Sequence, residues 1–189
     1  MKPYCSYPSP TLLRATLFAA LTCLITLIPA CRSSGGNSGN GGDGGGPEPG
    51  PVADAGITLS ETPCFGTCPE YTLTLYPNEF YDLDSGRFTK TPGDSTGMLR
   101  AGSFAAANDA LRAASFASLP TDITPSNPTA CGPTVVSDLP RSIISETTIA
   151  GARTVEYYPG CFDAPRRATL DTLVTALRSA MDVDGLVTP

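Results

Sequence analysis

Apolar and polar residues alternate along Gly56-Ile57-Thr58-Leu59-Ser60-Glu61, the period of a half-buried strand. The clearest strand follows at Tyr71-Thr72-Leu73-Thr74-Leu75-Tyr76, with Tyr71, Leu73 and Leu75 on one face and threonines on the other. Pro77-Asn78 turns the chain into a hairpin partner over 79–83; Arg87–Thr91 reads as a short strand and 95–101 as an edge candidate. The period then changes. Ser103 stands as an N-cap before Phe104, Ala107, Leu111 and Ala114 at helical spacing, predicting a helix over Phe104–Ser115 that stops before Pro120. Two further β-rich runs, Ser142–Ala150 and Arg153–Tyr158, predict a hairpin turning at Gly151-Ala152. A last helix starts at Asp163, carries Pro165 in its first turn and presents Leu170, Leu173, Val174, Leu177 and Met181, with Gly185 beyond its end. This order predicts one α+β domain over residues 53–187, a mostly antiparallel sheet packed on one face by two helices. Between the first helix and the second hairpin, the proline-rich stretch Pro120–Pro140 reads as a long ordered loop.

The first fifty residues carry a different pattern. Lys2 and Arg14 precede an apolar run, Ala15–Ala30, that is too short to cross a membrane comfortably and reads as a secretion signal over residues 1–30. Its end, Ile28-Pro29-Ala30-Cys31, resembles the lipobox of bacterial lipoproteins, which implies cleavage before Cys31 and lipidation, including palmitate, on that cysteine. Residues 31–52 follow as a Gly/Ser/Pro linker with almost nothing apolar to bury, as a tether requires. The expected location is therefore extracytoplasmic, lipid-anchored to a membrane. Arg32 after the lipidated cysteine resembles the outer-membrane sorting pattern where an envelope has two membranes.

Charge and composition narrow the chemistry. With 18 acidic and 12 basic residues and a net charge of −6, the chain lacks the clustered Lys and Arg that phosphate binding needs, so a nucleic-acid partner is not expected. The absence of histidine excludes His-dependent triads and the usual catalytic zinc sites. No catalytic residue set, resident metal or cofactor is called for by the remaining residues.

Seven cysteines become four once Cys5 and Cys23 leave with the leader and Cys31 takes lipid: Cys64, Cys68, Cys131 and Cys161. In an exported domain four cysteines read as two disulfides, with three connectivities open. The favoured pairing is Cys64–Cys68, closed around Gly66, and Cys131–Cys161, which staples the Pro120–Pro140 stretch. A competing reading of Cys64 and Cys68 is copper or thiol-redox work, since C-x3-C occurs in copper-delivery lipoproteins; those proteins also use a histidine, which this chain lacks.

Thr62-Pro63-Cys64-Phe65-Gly66-Thr67-Cys68-Pro69 with Tyr71, then Ser137-Asp138-Leu139-Pro140 leading into a strand, Gly151, and Val155 with Tyr157 together resemble an uncharacterised bacterial family, domain of unknown function 6438. The likeness covers about residues 56–184. It implies exported, often lipid-anchored proteins with a strand-rich domain ending in a helix, and no activity. Within the block, the favoured reading makes Phe65 a plug at the core rim of a rigid corner; the alternative is a presented recognition loop of Phe65, Gly66 and Thr67, with Asp138 as a further candidate binding residue.

The functional expectation is a non-catalytic envelope module that binds an envelope protein, a peptide or a cell-wall component through one of its stapled loops. Two alternatives stand beside it: an acid-residue enzyme using Asp82 with Asp84, or Asp138 with a hydroxyl, and the copper or thiol-redox protein described above.

Overall fold

The alternation at Gly56–Glu61 becomes β1, which buries Ile57 and Leu59 on one face and turns Thr58 and Ser60 to the other. We describe residues 55–189 from a computed structural model; the leader, Cys31 and the linker lie outside the described residues. These residues fall within one unit of the chain, Gly45–Pro189. The other strands are β2 (Tyr71–Leu75), β3 (Phe80–Ser85), β4 (Gly93–Met98), β5 (Asp122–Ile123), β6 (Ser142–Thr148) and β7 (Gly151–Tyr157). The helices are α1 (Ser103–Ala113), α2 (Pro128–Cys131), α3 (Arg167–Ala180) and α4 (Val183–Leu186), with a 3-10 turn at Phe116–Ser118.

The strands form one seven-stranded sheet in the order β4-β3-β2-β1-β6-β7-β5, antiparallel except where β5 runs parallel to β7. Register follows the hydrophobic pattern. Ile57, Leu59 and Glu61 stand opposite Leu75, Leu73 and Tyr71, and Leu59 also opposes Ile144, so these side chains share the face covered by helices. There α1 and α3 pack on each other, contributing Ala107, Leu111, Leu170, Leu173 and Leu177 to the core, and Met181 and Val183 close the C-terminal side. The opposite face is polar. Hydroxyl pairs bridge its strands, Thr58 to Thr74 at 2.9 Å, Ser60 to Thr72 at 3.0 Å and Ser145 to Thr154 at 2.8 Å. The architecture is thus the α+β fold expected, mostly antiparallel, helix-covered on one face and stapled by two disulfides.

Local differences from the sequence expectation have physical causes. Arg87–Thr91 is a turn, held by Thr89 Oγ1 donating to the Gly86 carbonyl and by the Lys90 N–H donating to the Val187 carbonyl at 2.8 Å each. The edge strand is Gly93–Met98, overlapping the 95–101 candidate. Ser103 does not cap α1. It is the first helical residue, after Gly102, and the capping carboxylate comes from Glu79, which accepts from the Gly102 and Phe104 N–H groups at 2.8 and 2.9 Å. Likewise α3 begins at Arg167, because the Asp163 carboxylate is occupied elsewhere, accepting from the Thr134 N–H at 3.0 Å. The second hairpin turns at Ile149-Ala150 with Thr148 paired to Gly151, two residues before the expected turn. Val155 and Tyr157 are its buried face on β7, while Ile149 is 92% exposed at the tip. Finally, the 120–140 stretch is not all loop, since β5 and α2 form within it.

Candidate functional site

β1 leaves the sheet at Glu61, and the chain immediately makes the five-residue loop Cys64-Phe65-Gly66-Thr67-Cys68. The loop is closed by a Cys64–Cys68 disulfide with Cα atoms 5.7 Å apart. Gly66 sits at its apex with φ 153°, a backbone angle that L side chains rarely adopt, and its N–H donates to the Cys64 carbonyl at 3.0 Å. Phe65 is 89% exposed. This corrects the core-plug reading: the ring does not reach the core rim, because a loop this short folds back on its own disulfide and turns the side chain outward. Thr67 is exposed beside it.

A second segment, 132–141, meets the chain just before this loop. The Thr62 N–H donates to the Arg141 carbonyl and the Arg141 N–H donates to Thr62 Oγ1, each at 3.0 Å. The Tyr158 hydroxyl donates to the Val136 carbonyl at 2.8 Å and accepts from the Leu139 N–H at 3.3 Å, fixing the segment from beneath. Its base is pinned by the Cys131–Cys161 disulfide, both cysteines fully buried. Val135, Val136 and Leu139 are left 38–45% exposed, and Asp138, at φ 70°, is exposed among them. Phe65, Gly66, Thr67 and Asp138 therefore lie at one end of the sheet, on two neighbouring restrained segments. The sequence reading missed the three aliphatic residues; their signal was apolar side chains inside a proline-rich stretch with no strand or helix period.

Below this end, charges are paired and fixed. Arg178 on α3 donates to both Glu61 carboxylate oxygens at 2.8 Å and to Asp184 at 2.8 Å, with the Tyr71 hydroxyl 3.5 Å away. Burial, followed by the Glu61 charge, pushes the Tyr71 hydroxyl well above its ordinary value, so it stays protonated. At the foot of the loop, on the polar face, a cleft of about 290 Å³ is lined by Ser60, Pro63, Glu70, Thr72 and Asp84 among others.

Of the acid-residue candidates, Asp82 and Asp84 share one face of β3 and Asp138 accepts from the Ser137 hydroxyl at 3.0 Å, but the two sets stand apart. Asp82 and Asp84 project from β3 onto the polar face and are exposed, whereas Asp138 precedes β6, with β2 and β1 lying between. Cys64 and Cys68 are bonded to each other, and among the described residues no three His, Cys, Asp or Glu side chains are placed to hold a metal ion.

No curated protein matches the chain. A family model, Domain of unknown function (DUF6438), matches residues 55–179, spanning β1 to the last turn of α3 and including both segments at this end. A match over most of the chain, with the disulfide loop inside it, makes this protein a member of the DUF6438 family.

Proposed function

We propose that the protein is a lipoprotein tethered through Cys31 outside the cytoplasm, and that its domain is a binding module that grips an envelope protein, peptide or cell-wall component with the Cys64–Cys68 loop. The observation that carries this reading is Phe65, 89% exposed on a loop restrained at both ends by its disulfide. An exposed aromatic costs stability nothing to display and gives a large apolar contact on binding, and a closed loop loses little entropy when it is gripped. Val136 and Leu139, exposed on the segment that leads into β6 at the same end of the sheet, add apolar surface there.

Direction supports the same reading. β1 runs from Gly56, next to the first described residue, to Glu61, shortly before the loop, so the N-terminal side and the loop leave opposite ends of one strand. A domain held by its N-terminal side would thus carry Phe65 at the end of β1 remote from the tether. The test is site-specific photocrosslinking in intact envelopes. A benzophenone side chain at position 65 or 139 should give a discrete adduct, and the same group at Ile149, exposed at the other end of the sheet, should not. Equal adducts from all three positions, or none from 65 and 139, would reject the proposal.

A further inference from the structure

β4 is the outermost strand of the sheet on the side opposite β5, and its register with β3 runs one to one, from Gly93 opposite Ser85 to Met98 opposite Phe80. The phase of that ladder fixes which way its backbone points. The Leu99 N–H donates to the Glu79 carbonyl at 2.9 Å, so alternate residues, Gly93, Ser95 and Gly97, direct their N–H and carbonyl groups to β3. Asp94, Thr96 and Met98 turn theirs outward, and among the described residues no backbone group takes them up. Natural sheets blunt such an edge with lysine, internal proline or a bulge. β4 has none of these, and all of it but Gly97 is fully exposed. Charge along the same edge is unbalanced. Asp94 stands directly opposite Asp84, in a pair of the non-hydrogen-bonded kind that brings side chains closest, and Asp82 shares their face. Like charges facing each other across strands are destabilising, and among the described residues no Lys or Arg pairs with any of the three.

We propose that the free edge of β4 takes an extended, basic peptide segment as an added strand, with backbone bonds to Asp94, Thr96 and Met98 and with Lys or Arg side chains beside Asp94 and Asp84. Two observations select this occupant. The outward row of N–H and carbonyl groups is complementary to an extended chain, which makes the partner a peptide. The facing aspartates choose its charge, since a cation on the added strand lies across from Asp94 and within a long side chain's reach of Asp84. A second copy of this chain fits less well. Pairing about Thr96 would set two such acidic edges side by side, in chains that each carry a net charge of −6. β3 and β2 separate this edge from β1, which leads into the Cys64–Cys68 loop, so the two surfaces can act independently.

Fluorescence anisotropy on the full chain tests this with a labelled peptide of alternating threonine and lysine, about eight residues long to match a strand. It should bind saturably and weaken as salt rises. Its glutamate counterpart, and a lysine peptide of the same charge with methylated backbone nitrogens, should each bind roughly tenfold or more weakly. Thr96→Pro removes an outward N–H without touching a ladder bond to β3, so it should abolish binding while its thermal melt stays near the parent's. The methylated peptide makes the same test without altering the protein. Asp84→Asn with Asp94→Asn should weaken the lysine peptide by a similar factor without lowering the melting temperature. No saturable binding, or equal binding of the methylated or the glutamate peptide, would overturn the proposal. So would a chain that sediments as a dimer until Thr96→Pro is introduced, which would give the edge to a second copy.

Discussion

Phe65 and Arg178 mark two opposite kinds of residue at the same end of the sheet. Because the Phe65 ring makes almost no burial contact, Phe65→Ala should change stability by no more than about 0.5 kcal/mol, read from the midpoint of a urea melt. Arg178→Ala should cost about 2–3 kcal/mol in the same experiment, since it strands the nearly buried Glu61 carboxylate without its partner. A large loss for Phe65→Ala would return the loop to the core. The buried tyrosines add a pH dependence. Burial, helped at Tyr157 by the hydrogen bond to Asp171, holds both hydroxyls above their ordinary value of 10.0, so the folded protein keeps protons that the unfolded chain releases. Their contribution is complete below about pH 10 and is lost as pH rises beyond it. Urea melts at about pH 8 and about pH 11 should show this fall, and Tyr157→Phe should flatten it.

At the scale of elements, the two staples differ in what they restrain. Cys131–Cys161 closes a span of 30 residues and joins α2 to the turn before α3, so Cys131→Ser with Cys161→Ser should cost about 3–4 kcal/mol by chain entropy. Cys64–Cys68 spans four residues and holds no core side chain, so its double serine variant should cost clearly less; the reverse order in denaturant melts would show that the short loop bears on the core. Helix α1 supplies a further case. Glu79→Ala removes the carboxylate that caps it and should cost about 1–2 kcal/mol, with Glu79→Gln in between, measurable by circular dichroism during thermal unfolding. This cap also explains which elements were legible in the sequence. β1, β2 and the apolar stripe of α3 are written in local periodicity, and the structure has them where that period lies. The helix starts are not local: Glu79 reaches α1 across more than twenty residues, and Asp163 is diverted to Thr134, so neither Ser103 nor Asp163 is the cap that its position in the sequence suggests. β5 is only two residues long and exists because Asp122 and Ile123 meet β7, a pairing with no trace in their own composition. The candidate site was half legible. Its loop and cysteines stood in the sequence, but the placing of the 132–141 segment at the same end of the sheet depends on the Thr62–Arg141 contact between residues far apart in the chain.

For the whole molecule, burial extends past the family match. Met181, Val183 and Val187 are fully buried after residue 179, and the Val187 carbonyl accepts from Lys90, so removal of residues 181–189 should expose core and lower the melting temperature by several degrees. A truncation that melts like the parent would mean these last residues only cover a core that is complete without them. The position of β1 carries a mechanical consequence. It lies inside the sheet, bonded along its length to β2 on one side and β6 on the other, with the N-terminal side of the domain at one end and the Phe65 loop at the other. On the proposed tethering and binding, a pull between the two ends of the domain would run along a single strand whose hydrogen bonds stand perpendicular to the load. Such a load shears both ladders together instead of peeling them bond by bond, so the domain would transmit tension as a stiff link, yielding all at once rather than by stages.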